Sequence, residues 1–272
     1  MSSVPSVTLN QSVSIPQIGF GVWQMDNTDV VRFVKLAFDA GYRSIDTASL
    51  YGNEEGVGRA IAESGLTRSE VFVTSKLDNA SHGFDEARRA FDETTKRLGL
   101  DVVDLYLIHW PLPKLDRYIE TWKALETLRS EGRIRAIGVS NFQMNHLERL
   151  LGESGTVPAV NQIELHPTFQ QEELADFHRR HGIATEAWSP LAKGAVDEPT
   201  ICAISEKYRK SSAQVILRWH MQKGYIAIPK SATPSRIVEN ITIFDFELDS
   251  SDMLAIDALD RGNRLGPHPD LR

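Results

Sequence analysis

Short apolar runs recur along this chain, and each ends in a polar or aromatic cluster. They are Ser44 to Asp46, Val71 to Lys76, Val103 to His109, Ile134 to Asn141, Ala159 to Gln162, Ile183 to Trp188 and Tyr225 to Lys230. An earlier short run, Ile18 to Gly21, completes eight. Runs this short and this apolar read as buried strands. Stretches of helical period separate them. Val30, Val31, Val34 and Phe38 form one face closed by Gly41; Phe84, Ala87, Ala90, Phe91, Thr94 and Leu98 form another, closed by Gly99. Ile119, Trp122, Leu125 and Leu128 repeat the pattern before Gly132. Further helices are expected over Glu54 to Ala62, Met144 to Leu151, around Leu174, Phe177 and His178, and over Ser212 to Gln222.

Eight strand–helix units in succession predict an α/β fold, a (β/α)8 TIM barrel, with residues 1–272 forming a single domain. Ahead of them, Ser6 to Pro16 alternates and turns like a β-hairpin, placed to plug the barrel floor. Behind them, Thr233 as N-cap with Pro234 at the first helical position opens one extra carboxyl-terminal helix. Asp249 caps another through Leu259, and a polar tail follows from Arg261. The competing architecture, an open doubly wound sheet, needs a Gly-rich turn straight after its first strand. Gly56-Val57-Gly58 does not supply it: Ile61 stands where the third glycine belongs, and the segment lies inside an expected helix.

Composition adds exclusions. The formal net charge of -7 at pH 7 disfavours nonspecific contact with nucleic acid. Cys202 is the single cysteine, so no intrachain disulfide is available and a reducing compartment fits. No basic segment followed by an apolar stretch begins at Met1-Ser2-Ser3-Val4-Pro5, and no run is long enough to cross a bilayer. A cytoplasmic protein with no membrane partner is the expectation.

Chemistry at the carboxyl ends of successive strands marks the working face of a β/α barrel. Asp46 ends one strand and Tyr51 follows it; Lys76 ends the next; His109 ends another. Singly these read as a turn former, a surface tyrosine, a solvated lysine and a core histidine. Together they read as proton-donating machinery. An ammonium beside a phenol favours phenolate and lowers its pKa from about 10. Asp46 would keep the amine charged, and His109 could hydrogen-bond a substrate oxygen. The chain has no Gly-x-Ser-x-Gly elbow, and His166, His178 and His181 form no His-Glu-x-x-His pattern, so acyl-enzyme and zinc-hydrolase readings have little support.

Five motifs in order carry a resemblance. Gly41 to Ala48 with Tyr51-Gly52-Asn53-Glu54, Leu107 to Pro111, Gly138 to Phe142, Asn161 to Pro167, and Ile228 to Ser231 resemble the aldo-keto reductase family over nearly the whole chain. The closest flavour is that of small bacterial 2,5-diketo-D-gluconate reductase-like enzymes. The resemblance implies NADPH-dependent reduction of small aldehydes and ketones. Tyr51 would be the general acid, Lys76 and Asp46 its tuning partners, and His109 the carbonyl-orienting residue. Ser140, Asn141 and Gln162 match residues that hold the nicotinamide carboxamide, and Trp188 matches the aromatic stacked on its ring. Ser189 and Leu191 match the loop along the pyrophosphate. Lys230, Ser231 and Arg236 match a clamp on the adenosine 2′-phosphate, a group suited by two cations and a hydroxyl. Glu239 and Asn240 match adenine contacts. A monomer is the family expectation.

Trp23, Trp110 and Tyr51 are expected to wall the substrate pocket. Asp78 follows the Lys76-Leu77 pair where many relatives have tryptophan, which points to a wider or more polar pocket. The connection from Gly194 to Pro199 is short for the family, and the tail around His268-Pro269-Asp270 could close over the substrate. Two other functions stay open on the same fold. A redox-sensing subunit would bind cofactor without turnover. A barrel isomerase or aldolase would use Lys76 as a Schiff-base amine.

Overall fold

The computed structural model describes residues 4–192 and 194–272. The stretch read for a targeting signal begins in residues 1–3, which lie outside the described residues. Two short strands, β1 (Ser6–Thr8) and β2 (Ser14–Pro16), pair antiparallel as the expected hairpin. Its apolar residues Leu9, Val13 and Ile15 pack against Phe72, Leu105, Leu107, Ala136, Val160 and Ile226 of the barrel strands. Asn10 and Gln11 tie it down by donating to the carbonyls of Pro158, Gly182, Ile137 and Val157. The hairpin therefore stoppers one end of the barrel, and its turn has almost no apolar surface left to hydrate.

The barrel proper alternates strand and helix: β3 (Phe20–Gly21), α1 (Asp29–Ala40), β4 (Ser44–Asp46), α2 (Glu54–Ala62), β5 (Phe72–Leu77), α3 (Phe84–Leu98), β6 (Val103–Ile108) and α4 (Tyr118–Ser130). It continues with β7 (Ile134–Ser140), α5 (Met144–Glu153), β8 (Val160–Glu164), α6 (Glu172–His181), β9 (Ala184–Trp188), α7 (Pro199–Tyr208), α8 (Ser212–Gln222), β10 (Ile226–Ala227), α9 (Pro234–Ile241) and α10 (Ser250–Asp257). The eight strands from β3 to β10 are all parallel and neighbour one another in chain order. A parallel bridge between Ile18 and Ala227 joins the first edge to the last, with Gly19 N donating to Ala227 O at 2.9 Å and Ala227 N to Gln17 O at 3.0 Å. Closure leaves no free sheet edge.

Two expectations need correction. The outer runs, Ile18 to Gly21 and Tyr225 to Lys230, contain only two residues each of regular strand. Pro229 has no N–H to continue a ladder, so β10 stops short of it. Helix α7 was not anticipated: its apolar Ile201 and Ile204 are buried three positions apart, and Pro199 starts it at a position where a missing N–H costs nothing. The polar segment from Arg261 is held across the mouth, as described below.

The Gly56-Val57-Gly58 stretch lies within α2. A Cβ on Gly58 would sit 2.1 Å from the carbonyl oxygen of Leu98, at the end of α3. These glycines let two helices approach; they do not form a nucleotide turn. Between strands and helices runs the main core, with Phe91, Trp122 and Trp219 fully covered. Each such side chain contributes about 1.5–3 kcal/mol from its burial. The result is a rigid ring of strands whose carboxyl ends can hold charged groups in fixed positions.

Candidate active site

Strand register sets the site. Parallel partners share a face, so Ser140 beside Gln162, and Gln162 beside Glu186, place three polar side chains in one layer. Asp46 ends β4, and Lys76 lies one residue before the end of β5. A parallel strand buried on both faces normally carries apolar residues; here the upper layer of the barrel is ionic.

Lys76 is fully buried, and its Nζ donates to Asp46 Oδ1 at 2.5 Å, to the carbonyl of Thr47 at 3.0 Å and to Tyr51 Oη at 3.3 Å. All three ammonium protons are thus engaged, which is what a buried amine needs. Burial works against the charged amine, but the acidic groups around it, Asp46 foremost, together outweigh burial and hold Lys76 protonated above the ordinary lysine range. His109 stands edge-on to Tyr51, with ring centroids 5.9 Å apart. Burial first, then the charges of Lys76 and Arg272, keep its imidazole neutral. Its Nδ1 is buried with no hydrogen-bond partner among the described residues.

The phenol differs from expectation. Lys76 does pull the Tyr51 pKa down, but burial is the larger effect and Asp46 adds to it, so the net shift is upward. The phenol therefore stays protonated at neutral pH, the state from which a proton donor must start. The ammonium's part is to offset the cost of phenolate once a proton leaves, not to make free phenolate at rest.

Glu186 escaped the reading of the sequence. It is buried, and its Oε2 accepts from Gln162 Nε2 at 2.9 Å. The same Nε2 donates to Asp46 Oδ2 at 2.7 Å. Burial and the neighbouring Asp46 push the Glu186 carboxyl up to about 8, against the Gln162 hydrogen bond and Lys76. Asp46 pairs with the Lys76 ammonium, whereas Glu186 bonds Gln162 instead, and its raised carboxyl keeps its proton at neutral pH.

Ser140, Asn141 and Trp188 form a linked set. Ser140 Oγ donates to Gln162 O, Asn141 Nδ2 donates to His109 O and to Ser140 Oγ, and Trp188 Nε1 donates to Asn141 Oδ1 at 2.8 Å. Asn141 has φ 65°, and this left-handed turn is what swings its amide across three strand ends. Trp188 is half-buried and held by its indole N–H, so its ring orientation is fixed. Beyond it Ser189 is exposed, also left-handed at φ 50°, and Leu191 is half-buried.

Lys230 and Ser231 precede α9, Arg236 lies in its first turn, and Glu239 and Asn240 lie in its last. Lys230 and Arg236 are exposed, and neither has a carboxylate partner among the described residues. Ser231 Oγ accepts from Thr233 N and so shapes the entry to the helix. Glu239 accepts from Ser211 Oγ, and Asn240 is buried. Two free cations beside amides at a helix start fit an anion such as a phosphate monoester. A phosphate-bearing dinucleotide running from Trp188 to α9 is compatible with the donors present.

The expected pocket walls are not equivalent. Trp23 is 54% exposed, whereas Trp110 is buried under the guanidinium of Arg272, 4.3 Å from its ring centre. The tail reaches there because Leu265 N and Gly266 N donate to the buried carboxylate of Glu164, which also meets His166. Gly266 passes so close to Trp188 that a Cβ would lie 2.5 Å from its ring. Asp270 then faces His146 at 3.2 Å. The tail thus lies across the mouth. Asp78, read as a change in the pocket, caps a single helical turn by accepting from Ala80 N.

The family model described as "Aldo/keto reductase family" matches residues 17–261. This chain belongs to the aldo/keto reductase family. It is an oxidoreductase of the barrel type, and the match spans every strand from β3 to β10. Among solved structures, an aldo/keto reductase from Brucella melitensis is 56% identical with a TM-score of 0.94, covering 96% of this chain and 99% of that one. A variant of Gox0644 solved in complex with NADPH is 46% identical with a TM-score of 0.96, covering 100% of this chain and 99% of that one. A curated relative, "Methylglyoxal reductase DkgA" of Escherichia coli, is 47% identical over 273 residues, 99% of this chain and 98% of its own. Among the described residues no group of histidines, cysteines or acids could hold a metal ion, and no helix is long and apolar enough to cross a membrane.

Proposed function

We propose that this aldo/keto reductase converts small aldehydes and ketones to alcohols with NADPH, with Tyr51 as the general acid. The observation that carries the reading is a phenol 3.3 Å from a fully buried, carboxylate-paired ammonium at the barrel mouth. The names of its relatives, a methylglyoxal reductase and an enzyme solved with NADPH, support the substrate class and the cofactor. The dinucleotide would supply the hydride. The chain supplies the rest. Tyr51 Oη hands its proton to the carbonyl oxygen, and the Lys76 ammonium stabilises the phenolate left behind. Asp46 keeps that ammonium charged. His109, neutral and beside Tyr51, is placed to hydrogen-bond the same oxygen and orient it.

On this reading Trp188 presents its ring to the nicotinamide, and Gln162 with Ser140 and Asn141 meets the carboxamide. Ser189 and Leu191 border the pyrophosphate. Lys230, Ser231 and Arg236 grip the 2′-phosphate, while Glu239 and Asn240 lie beside the adenine. Trp110, with Arg272 over it, bounds the substrate from the side of the tail, and Trp23 from the open side. The whole works as one domain over residues 1–272, monomeric and cytoplasmic, with no nucleic-acid partner.

NADPH consumption with methylglyoxal tests the reading. Tyr51→Phe should leave NADPH affinity within about twofold and lower kcat by about 10²–10⁴-fold, the usual contribution of general acid catalysis. Near-normal turnover in that variant would remove the proton-donor assignment. Cofactor binding without turnover in the wild type would favour a sensor. Borohydride trapping of substrate on Lys76 without NADPH would favour Schiff-base chemistry.

A further inference from the structure

Gln162 sits between two carboxyls. Its Nε2 carries two protons, and both are used: one on Asp46 Oδ2 at 2.7 Å, one on Glu186 Oε2 at 2.9 Å. Its Oε1 has no hydrogen-bond partner among the described residues, yet is not fully enclosed. Turned over, the amide would set Oε1 against Asp46 Oδ2, whose fellow oxygen already accepts from the Lys76 ammonium, acceptor against acceptor. The orientation is therefore dictated by its neighbours. Asp46 alone would leave the amide free to swing about a single bond. The second contact, to Glu186, fixes its plane.

Glu186 can hold this position in either charge state. Its Oε2 accepts equally well as a carboxylate oxygen or as the carbonyl oxygen of the acid. Its strand makes the geometry rigid, because Glu186 and Gln162 are direct register partners on β9 and β8. Among the described residues Glu186 hydrogen-bonds none of Tyr51, Lys76 and His109; its hydrogen bond is to Gln162.

We infer that Glu186 is a positioning residue for cofactor recognition: with Asp46 it locks the Gln162 carboxamide so that Oε1 alone faces the nicotinamide and accepts from the carboxamide NH₂. This rests on the reductase reading given above. It makes the site selective for a nicotinamide that carries a donor, because a buried acceptor without a partner is costly.

The test is binding, read by quenching of tryptophan fluorescence, of NADP+ and of its 3-acetylpyridine analogue. The analogue replaces the carboxamide NH₂ with a methyl group. One neutral hydrogen bond contributes about 0.5–1.5 kcal/mol, so the wild type should bind NADP+ up to about tenfold tighter than the analogue. Glu186→Gln, whose amide carbonyl can still accept from Gln162, should keep that ratio. Glu186→Met should reduce it to about twofold or less. An unchanged ratio in folded Glu186→Met, or no discrimination in the wild type, would overturn the inference while leaving reduction by NADPH intact. Failure of the wild type to bind NADP+ at all would instead overturn the reductase reading. Glu186→Ala serves as a second replacement should Glu186→Met not fold. Loss of folding in both would assign Glu186 to stability and would also overturn the inference.

Discussion

The two ends of the barrel each bury a carboxylate against a cation, and they do it differently. At the amino ends of the strands Asp104, in β6, accepts from Arg68 at 2.5 Å, from Arg135 at 2.6 Å and from Val73 N at 2.9 Å. The carboxylate is covered, but the two guanidinium side chains are 36% and 50% exposed. At the carboxyl ends Asp46 meets Lys76, and the lysine is 0% exposed. The floor places its cations in water and uses them to pin a strand. The mouth removes its cation from water altogether. Desolvating an ammonium is costly, and an apolar pair of similar volume would usually serve stability as well. A fully buried ammonium with a phenol on it is therefore better explained by chemistry than by folding.

The sharpest way to break that contrast is Lys76→Met. If the mouth pair is chemical, single-turnover hydride transfer should fall by about 10²–10⁴-fold with NADPH affinity little changed. If activity survives, the mouth is only a second structural pair. The next largest effect belongs to cations of a third kind, Lys230 and Arg236, exposed and free of carboxylate partners among the described residues. They stand ready for an anion from outside. Lys230→Gly with Arg236→His should narrow the preference for NADPH over NADH by about 10–100-fold, as charge-assisted hydrogen bonds are lost. Unchanged relative dissociation constants in the double variant would refute the clamp.

The contrast also has a pH signature. The Glu186 carboxyl is pushed up to about 8 in the folded protein, from an ordinary value of 4.5. The native state then binds the extra proton, so its stabilising contribution is complete below 4.5 and is lost as pH rises through about 8. Glu186→Gln cannot titrate. Its stability relative to wild type should therefore rise with pH, by on the order of 1 kcal/mol per unit across that window. Parallel thermal-melt profiles for the two proteins would show that Glu186 holds no extra proton in the folded state.

Much of the mouth was legible in the sequence because barrel strands put chemistry at their ends. Asp46, Lys76 and His109 close or follow apolar runs, and a chain of strand–helix units forces those ends together. Glu186 was not legible. It lies within Ile183 to Trp188, where one carboxyl in a strand reads as an outward-facing residue. Only the register of β8 on β9 shows that it shares a face with Gln162. The cover over Trp110 was hidden for another reason: the guanidinium above it comes from the far end of the chain, and nothing local links residue 272 to a strand end near residue 110. Helix α7 was passed over because only Ile201 and Ile204 mark its buried face. The phenol's upward shift could not be read either, since burial outweighs a neighbouring charge only where the surroundings are known.

The smallest expected effect lies at the floor. Arg135 is half in water, and Asp104 keeps Arg68 and Val73 N when Arg135 is removed. The aliphatic part of the arginine can be replaced by methionine, so little packing is lost. Arg135→Met should therefore cost no more than about 1 kcal/mol, the range of solvent-screened pairs, and leave kcat and NADPH affinity where they were. Asp104→Asn removes the carboxylate instead, and should cost more than Arg135→Met while still sparing kcat. Denaturant unfolding and steady-state rates on the same samples decide the point. A fall in kcat for either floor variant, with folding intact, would mean that charge at one end of the barrel reaches chemistry at the other, and the distinction between the two ends would no longer hold.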